Sequence, residues 1–131
     1  MTGLSFTVSR TISASKEEIY QAWLDSDSHT AMTGGKAVAS DQPNAAFKAW
    51  DGYISGTNMI LEPNCRIVQA WRTTEFTENE PSSKIEIILE TVSDGTQITL
   101  RHTNLPEHGM QYKQGWQDHY FEPMTAYFEG E

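Results

Sequence analysis

The stretch from Phe47 to Arg72 constrains the fold more than any other part of the chain, because three strand-like runs alternate there with two turn signals. Asp51-Gly52 supplies residues that accept the positive φ of a tight two-residue hairpin. Glu62-Pro63-Asn64 ends the second run before Ile67-Val68 begins the third. The segment therefore predicts consecutive antiparallel strands.

Alternating apolar residues predict further strands on both sides of this segment. They are Leu4, Phe6, Val8 and Ile12; Ile85, Ile87 and Leu89; and Ile98, Leu100 and His102. Arg10 interrupts the first run on its apolar face, and Asp94-Gly95 marks a second tight hairpin. Most residues between these positions are polar, Glu86 among them, so one face of the sheet is apolar and must be covered.

Helical signals stand at both ends of the chain. Ser15 and Glu18 form a capping-box pattern before a first helix, and a short second helix is predicted between Ser26 and Gly35. In the last segment the apolar residues recur at helical spacing, namely Trp116, Tyr120, Met124, Tyr127 and Phe128. This predicts a helix over residues 110–128, about 28 Å long. Pro123 predicts a kink near His119 to Pro123.

Together these elements predict an α+β helix-grip fold in one domain over residues 1–131. A curved antiparallel sheet of about six or seven strands wraps around a long C-terminal helix, with two short helices after the first strand. The C-terminal helix is the one element long and apolar enough to cover the sheet. A cavity between the sheet and this helix is the expected place for a ligand.

The composition excludes several functional classes. Eighteen acidic against nine basic residues give a formal charge of −9, which repels nucleic-acid backbones and anionic lipid heads. No apolar run approaches the roughly 18 residues of a membrane span. A single cysteine, Cys65, excludes an internal disulfide framework. The chain starts without the charged and apolar regions of a secretory signal, so we expect a cytoplasmic protein.

Several short motifs resemble those of the activator of heat-shock protein 90 ATPase family, within the START-like helix-grip superfamily. They are Thr33-Gly34-Gly35, the ordered turns and strands of Phe47–Arg72, and Gly115-Trp116 with Tyr120-Phe121-Glu122. The family includes a two-domain co-chaperone whose carboxy-terminal half has this fold, and many free-standing bacterial domains. The chain resembles the free-standing kind. The resemblance implies ligand binding in the cavity, or a stress-linked, co-chaperone-like role with a chaperone partner.

Six residues are candidates for a ligand site in the predicted cavity: Trp23, Trp71, His102, Trp116, Tyr120 and Met124. His102 shares a face with Ile98 and Leu100, so alternation points it under the long helix. There it either anchors a ligand or is satisfied by a neighbouring hydroxyl or backbone group. The aromatic residues and Met124 either line the cavity or form core.

No metal, cofactor or catalytic site is predicted. His119 and Glu122 are three residues apart, and Asp25, Asp27 and His29 form an acidic stretch after the first helix, but neither set has the ligands that a metal site needs. We expect both sets to be solvated polar groups. We therefore expect a non-enzymatic protein that binds a small apolar or amphipathic ligand or acts with a chaperone. Two alternatives remain: a cyclase- or hydrolase-like enzyme using His102 or Tyr120, and a protein-interaction module with a filled core. The exposed edges of the sheet could pair two copies of the chain, so a homodimer is a further alternative.

Overall fold

The computed structural model describes residues 4–129, and in this range the chain forms six β-strands in one curved antiparallel sheet. The strands are β1 (Leu4–Ile12), β2 (Ala46–Ala49), β3 (Ile54–Glu62), β4 (Arg66–Thr73), β5 (Ser83–Val92) and β6 (Gly95–Leu105). Their order across the sheet is β1-β6-β5-β4-β3-β2. The first strand thus pairs with the last, and every other pair is adjacent in sequence. This confirms the predicted helix-grip architecture at six strands. Residues 36–45 add only an isolated bridge, Val38 to Lys48.

The predicted turns form, and one differs in type. The Asp51-Gly52 prediction of a two-residue hairpin is wrong, since β2 and β3 are joined by the four residues 50–53. Trp50, Asp51 and Gly52 all have positive φ, at 51°, 58° and 93°. Asn64 takes the left-handed position after Pro63, with φ 65°. At the second hairpin Val92 pairs with Gly95, so Ser93 and Asp94 form the two-residue loop.

The two short helices are α1 (Lys16–Leu24) and α2 (Ser26–Thr33). The predicted capping box is present: the Ser15 hydroxyl accepts from the Glu18 amide, and the Glu18 carboxylate accepts from the Ser15 amide. Gly34 ends α2 in the left-handed conformation, with φ 86° and its amide bonded to the Thr30 carbonyl. The start of α1 and the end of α2 are thus each defined by residues within the same few positions of the sequence.

The C-terminal helix spans residues 111–129 and follows a 3₁₀ turn, Glu107–Met110. It contains α3 (Gln111–Trp116), a π-helical turn (Gln117–Phe121) and α4 (Glu122–Glu129). The irregularity expected near His119 to Pro123 is therefore a π turn, in which the Glu122 amide bonds to the Gln117 carbonyl. Pro123 has no amide to donate, and the wider turn directly precedes it.

The core lies between the concave face of the sheet and the C-terminal helix. From the sheet it receives Ile85, Ile87, Ile98 and Leu100, and from the helix Phe121 and Met124, all at most 1% exposed. Arg10, which interrupts the apolar face of β1, reaches the helix instead. Its guanidinium donates to the Thr125 hydroxyl at 3.1 Å and to the Glu122 carboxylate at 3.3 Å. It thereby ties the open edge of the sheet to α4.

Candidate functional site

An open cleft of about 460 Å³ separates the first half of the C-terminal helix from β4 and the β2–β3 loop. Its walls are mainly aromatic and are formed by Trp50, Tyr53, Ile54, Trp71, Gln111, Tyr112, Gly115, Trp116, His119 and Tyr120. The volume falls within the range of about 300–1,000 Å³ that is typical of small-molecule sites. The predicted cavity between sheet and helix is therefore present as a cleft.

The inner wall of the cleft is a contiguous aromatic cluster. The ring centroids of Trp71 and Trp116 are 5.5 Å apart, those of Trp71 and Tyr112 4.9 Å, and those of Trp116 and Tyr120 4.8 Å. Tyr112, Trp116 and Tyr120 follow each other at spacings of four along the helix, so they share one side of it. Trp71 meets them from β4. Tilted and edge-on contacts of this kind fix the rings against each other.

Hydroxyl groups lie along one flank of the cleft. The Tyr112 hydroxyl is 2.6 Å from the Thr73 hydroxyl, and the Tyr53 hydroxyl donates to the Glu75 carboxylate. Burial raises the pKa of both phenols above the ordinary value of 10, so both are neutral near pH 7. The flank is polar but carries no phenolate.

His102 lies behind the aromatic wall and is fully buried. The Trp116 indole donates to Nδ1 at 3.0 Å, so Nδ1 holds the lone pair and Nε2 carries the proton. Nε2 then donates to the Ser83 hydroxyl at 2.7 Å, and that hydroxyl donates to the Trp71 carbonyl at 2.8 Å. Desolvation lowers the pKa of His102 to about 3, so the ring stays neutral. Its two nitrogens are committed to protein partners.

A second buried histidine supports Tyr120 from the other side. His29 Nδ1 donates to the Trp23 carbonyl at 2.8 Å, and Nε2 accepts from the Tyr120 hydroxyl at 3.0 Å. Burial lowers the pKa of His29 and raises that of Tyr120. The expectation that His29 belongs to a solvated acidic stretch is wrong, since the side chain is buried against Trp23 and Tyr120.

The six predicted residues form one neighbourhood but take different places in it. Trp71, Trp116 and Tyr120 line the cleft. Trp23 packs behind them, with its ring centroid 5.0 Å from that of Tyr120. Met124 is fully buried in the core, and His102 lies in the layer behind Trp71 and Trp116.

Sequence reasoning missed the outer wall of the cleft, to which Trp50, Tyr53 and His119 contribute. The sequence signal that could have identified Trp50 as a wall residue is its position directly before the Asp51-Gly52 turn. His119 was considered only as a metal ligand. Within residues 4–129 no three His, Cys, Asp or Glu side chains are close enough together to hold a metal ion. No helix in that range is long and apolar enough to span a membrane.

A curved antiparallel sheet closed by a long C-terminal helix, with an aromatic cleft between them, defines the START-like helix-grip class. The family model described as activator of Hsp90 ATPase homolog 1-like protein matches residues 13–129. The chain belongs to this family, as its turn and tail motifs predict.

Individual relatives agree with this assignment. The mouse activator of 90 kDa heat shock protein ATPase homolog 1 is 24% identical over 123 residues, which cover 93% of this chain and 36% of the relative. The chain thus spans about a third of the curated relatives that it matches.

Solved structures show the same fold. A crystal structure of an HSP90 activator from Plasmodium falciparum has a TM-score of 0.81 at 21% identity and covers 92% of both chains. The solution structure of an Aha1 dimer from Colwellia psychrerythraea has a TM-score of 0.81 at 18% identity and covers 96% of both chains. At these identities the likeness concerns the fold.

Proposed function

We propose that the protein binds a small apolar or amphipathic molecule in the cleft between the sheet and the C-terminal helix, without catalysing a reaction. The observation that carries the proposal is the open aromatic cleft of about 460 Å³. A filled-core interaction module would have no such space. Apolar rings provide most of the contact area, and the tyrosine hydroxyls and His119 supply a few polar contacts at the sides.

The buried hydrogen bonds favour binding over catalysis. A general base needs a free lone pair within reach of its substrate. The lone pair on Nδ1 of His102 already accepts a hydrogen bond from the Trp116 indole. The lone pair on Nε2 of His29 already accepts one from the Tyr120 hydroxyl. The Tyr120 hydroxyl donates its proton to the hydrogen bond with His29, and burial raises its pKa. The two groups considered for acid–base chemistry are thus both held by protein partners, Tyr120 in the wall of the cleft and His102 in the layer behind it.

Ligand occupancy is expected to raise the melting temperature. A ligand at ten times its dissociation constant adds about 1.4 kcal/mol to the free energy of unfolding. For a domain of this size this corresponds to a shift of roughly 4 °C. A thermal-shift screen of fatty acids, sterols and flavonoids measures the effect and identifies hits for calorimetry.

Two leucine variants test whether a hit binds in the cleft. Gly115 lines it, and a Cβ placed there meets no heavy atom within 4 Å, so Gly115→Leu fills the cleft without a clash at Cβ. Gln114→Leu adds the same side chain at an exposed neighbouring position. We expect Gly115→Leu to abolish the shift and Gln114→Leu to retain it. Equal shifts in both variants would place binding elsewhere and contradict the proposal.

Family membership favours a second role, in which the protein contacts a chaperone of the Hsp90 class. The mouse relative and the Plasmodium structure are both described as activators of such a chaperone. The formal charge of −9 suits a partner with a basic face.

Calorimetry with purified Hsp90 measures this second role. We expect a dissociation constant of tens of micromolar or tighter that weakens as salt rises from 50 to 300 mM, because screening reduces the attraction between opposite charges. Absence of binding at 100 µM of either protein would remove the support for a chaperone contact. The result is independent of the small-molecule screen.

A further inference from the structure

A carboxylate is fixed beside the tyrosine flank of the cleft. The Tyr53 hydroxyl donates to the Glu75 carboxylate, and the Glu75 amide donates to the Thr73 hydroxyl at 3.1 Å. The Thr73 hydroxyl also bonds to the hydroxyl of Tyr112. Tyr53 and Tyr112 both line the cleft, whereas Glu75 is exposed. The carboxylate is therefore held on the solvent side of this flank, in contact with one of the wall phenols.

The negative charge of Glu75 acts on both wall phenols. Burial is the largest cause of the raised pKa of Tyr53 and of Tyr112, and repulsion from the Glu75 carboxylate adds to the rise in each. A field that opposes a negative charge on these two rings favours a positive charge beside them. The tyrosine flank is therefore a place of negative potential at the edge of an apolar cleft.

No lysine or arginine offsets this potential among the described residues that form the walls, where His119 is the one basic side chain. Arg72 follows Trp71 in β4, so its side chain leaves the opposite face of the sheet. Its guanidinium donates to the carbonyls of Thr77 and Glu80 at 3.0 and 3.1 Å. The formal charge of −9 on the whole chain further raises the local concentration of cations.

Aromatic rings attract cations through the negative potential of their faces, and cages of such rings recognise quaternary ammonium groups. We propose that the cleft selects an amphipathic organic cation. Its ammonium group lies at the flank formed by Tyr53 and Tyr112, with Glu75 as the counter-charge, and its apolar body packs against Trp71 and Trp116. This inference rests on the proposed ligand-binding function and names the class of ligand.

Two probes of the same shape, one charged and one neutral, test the ligand class. They are 4-(hydroxymethyl)-N,N,N-trimethylanilinium and 4-tert-butylbenzyl alcohol, in which a quaternary nitrogen replaces a quaternary carbon. We expect the wild-type protein to bind the cation roughly 2- to 30-fold more tightly, the range that a cation against aromatic rings confers. Titrations followed by NMR give both dissociation constants. They are run near pH 8, where the ordinary pKa of about 6.5 leaves imidazoles neutral.

A pair of glutamine variants tests the part played by Glu75. Glu75→Gln keeps an acceptor for the Tyr53 hydroxyl and removes the charge, so it should bind the cation roughly 1.5- to 5-fold more weakly and the alcohol unchanged. Glu90→Gln is the matched control, because it removes one charge at an exposed position of β5 outside the cleft lining. It is expected to retain the wild-type affinity for both probes.

Gly115→Leu, which fills the cleft, should abolish binding of both probes. If the alcohol binds to the wild-type protein as tightly as the cation or more so, and Gly115→Leu blocks it, the cation class is overturned while the cleft function stands. A preference for the cation that persists in full in Glu75→Gln overturns the assignment of Glu75 as the counter-charge. If neither probe binds the wild-type protein, this ligand class is wrong, and a screen without hits in the cleft then overturns the proposed function itself.

Discussion

Gly56→Ala is expected to lower the free energy of unfolding by about 3 kcal/mol or more, which is at or above the upper end of the usual range for overpacking. A Cβ at this position of β3 would stand 1.8 Å from the Ala70 carbonyl oxygen and 2.7 Å from the Phe47 ring. The ring could rotate, but the carbonyl belongs to the neighbouring strand β4. The strand pair must separate to admit one methyl group. Urea denaturation followed by circular dichroism measures the loss.

Gly115→Ala is the matched control for this prediction. It adds the same methyl group where nothing lies within 4 Å, on a helix in which alanine is favoured over glycine. We expect a gain of about 0.5 to 1 kcal/mol. If Gly56→Ala were as stable as the wild-type protein, β3 and β4 could not pair in the register that places Gly56 opposite Trp71.

Acidification from pH 7.5 to 5.0 is expected to lower the free energy of unfolding by about 2 kcal/mol through His102 alone. In the unfolded chain this ring takes up a proton near its ordinary pKa of 6.5, whereas burial holds the pKa of the folded state at about 3. Between these values the unfolded state binds more protons, so stability is lost as the pH falls below 6.5. The lowered pKa of His29 adds a loss of the same sign.

Urea denaturation across this pH range measures the effect, and His102→Gln separates the two histidines. The variant is expected to be less stable at pH 7.5, because the bonds to Ser83 and Trp116 are disturbed. Its stability should nevertheless fall less steeply with pH, since one titrating ring has been removed. A wild-type stability that stays level from pH 7.5 to 5.0 would show that His102 is not desolvated as described.

Local sequence patterns predicted the elements well, because their causes lie within a few residues. The Ser15–Glu18 capping box, the strand alternation up to His102 and the apolar stripe of the C-terminal helix each depend on neighbours along the chain. The sheet and the C-terminal helix each have one apolar face, and both faces are buried only if the helix packs on the sheet. The position of the cleft followed from that arrangement.

The partners of individual side chains could not be predicted in this way. His29 is bonded to Tyr120, 91 residues away, and His102 to Ser83, 19 residues away. Alternation indicates which face a residue occupies but not which group it meets there. Trp50 is a similar case, because the Asp-Gly pair that follows it favours a two-residue turn. The hydrogen bond from the Asp51 amide to the Lys36 carbonyl and the space for the Trp50 ring at Gly35 instead favour a four-residue loop. Only the assembled fold brings these groups together.

The π turn at Gln117–Phe121 gives this segment a tolerance of length that the α-helical turns beside it lack. A π turn carries one residue more than the α-helical path it replaces. Deleting one residue there would leave the α-helical path between the same two ends, so Met124 and Phe128 would stay in the core. The same deletion in a regular α-helical turn would rotate all that follows by about 100°. Over evolutionary time this segment can therefore lose a single residue more readily than the α-helical turns on either side of it.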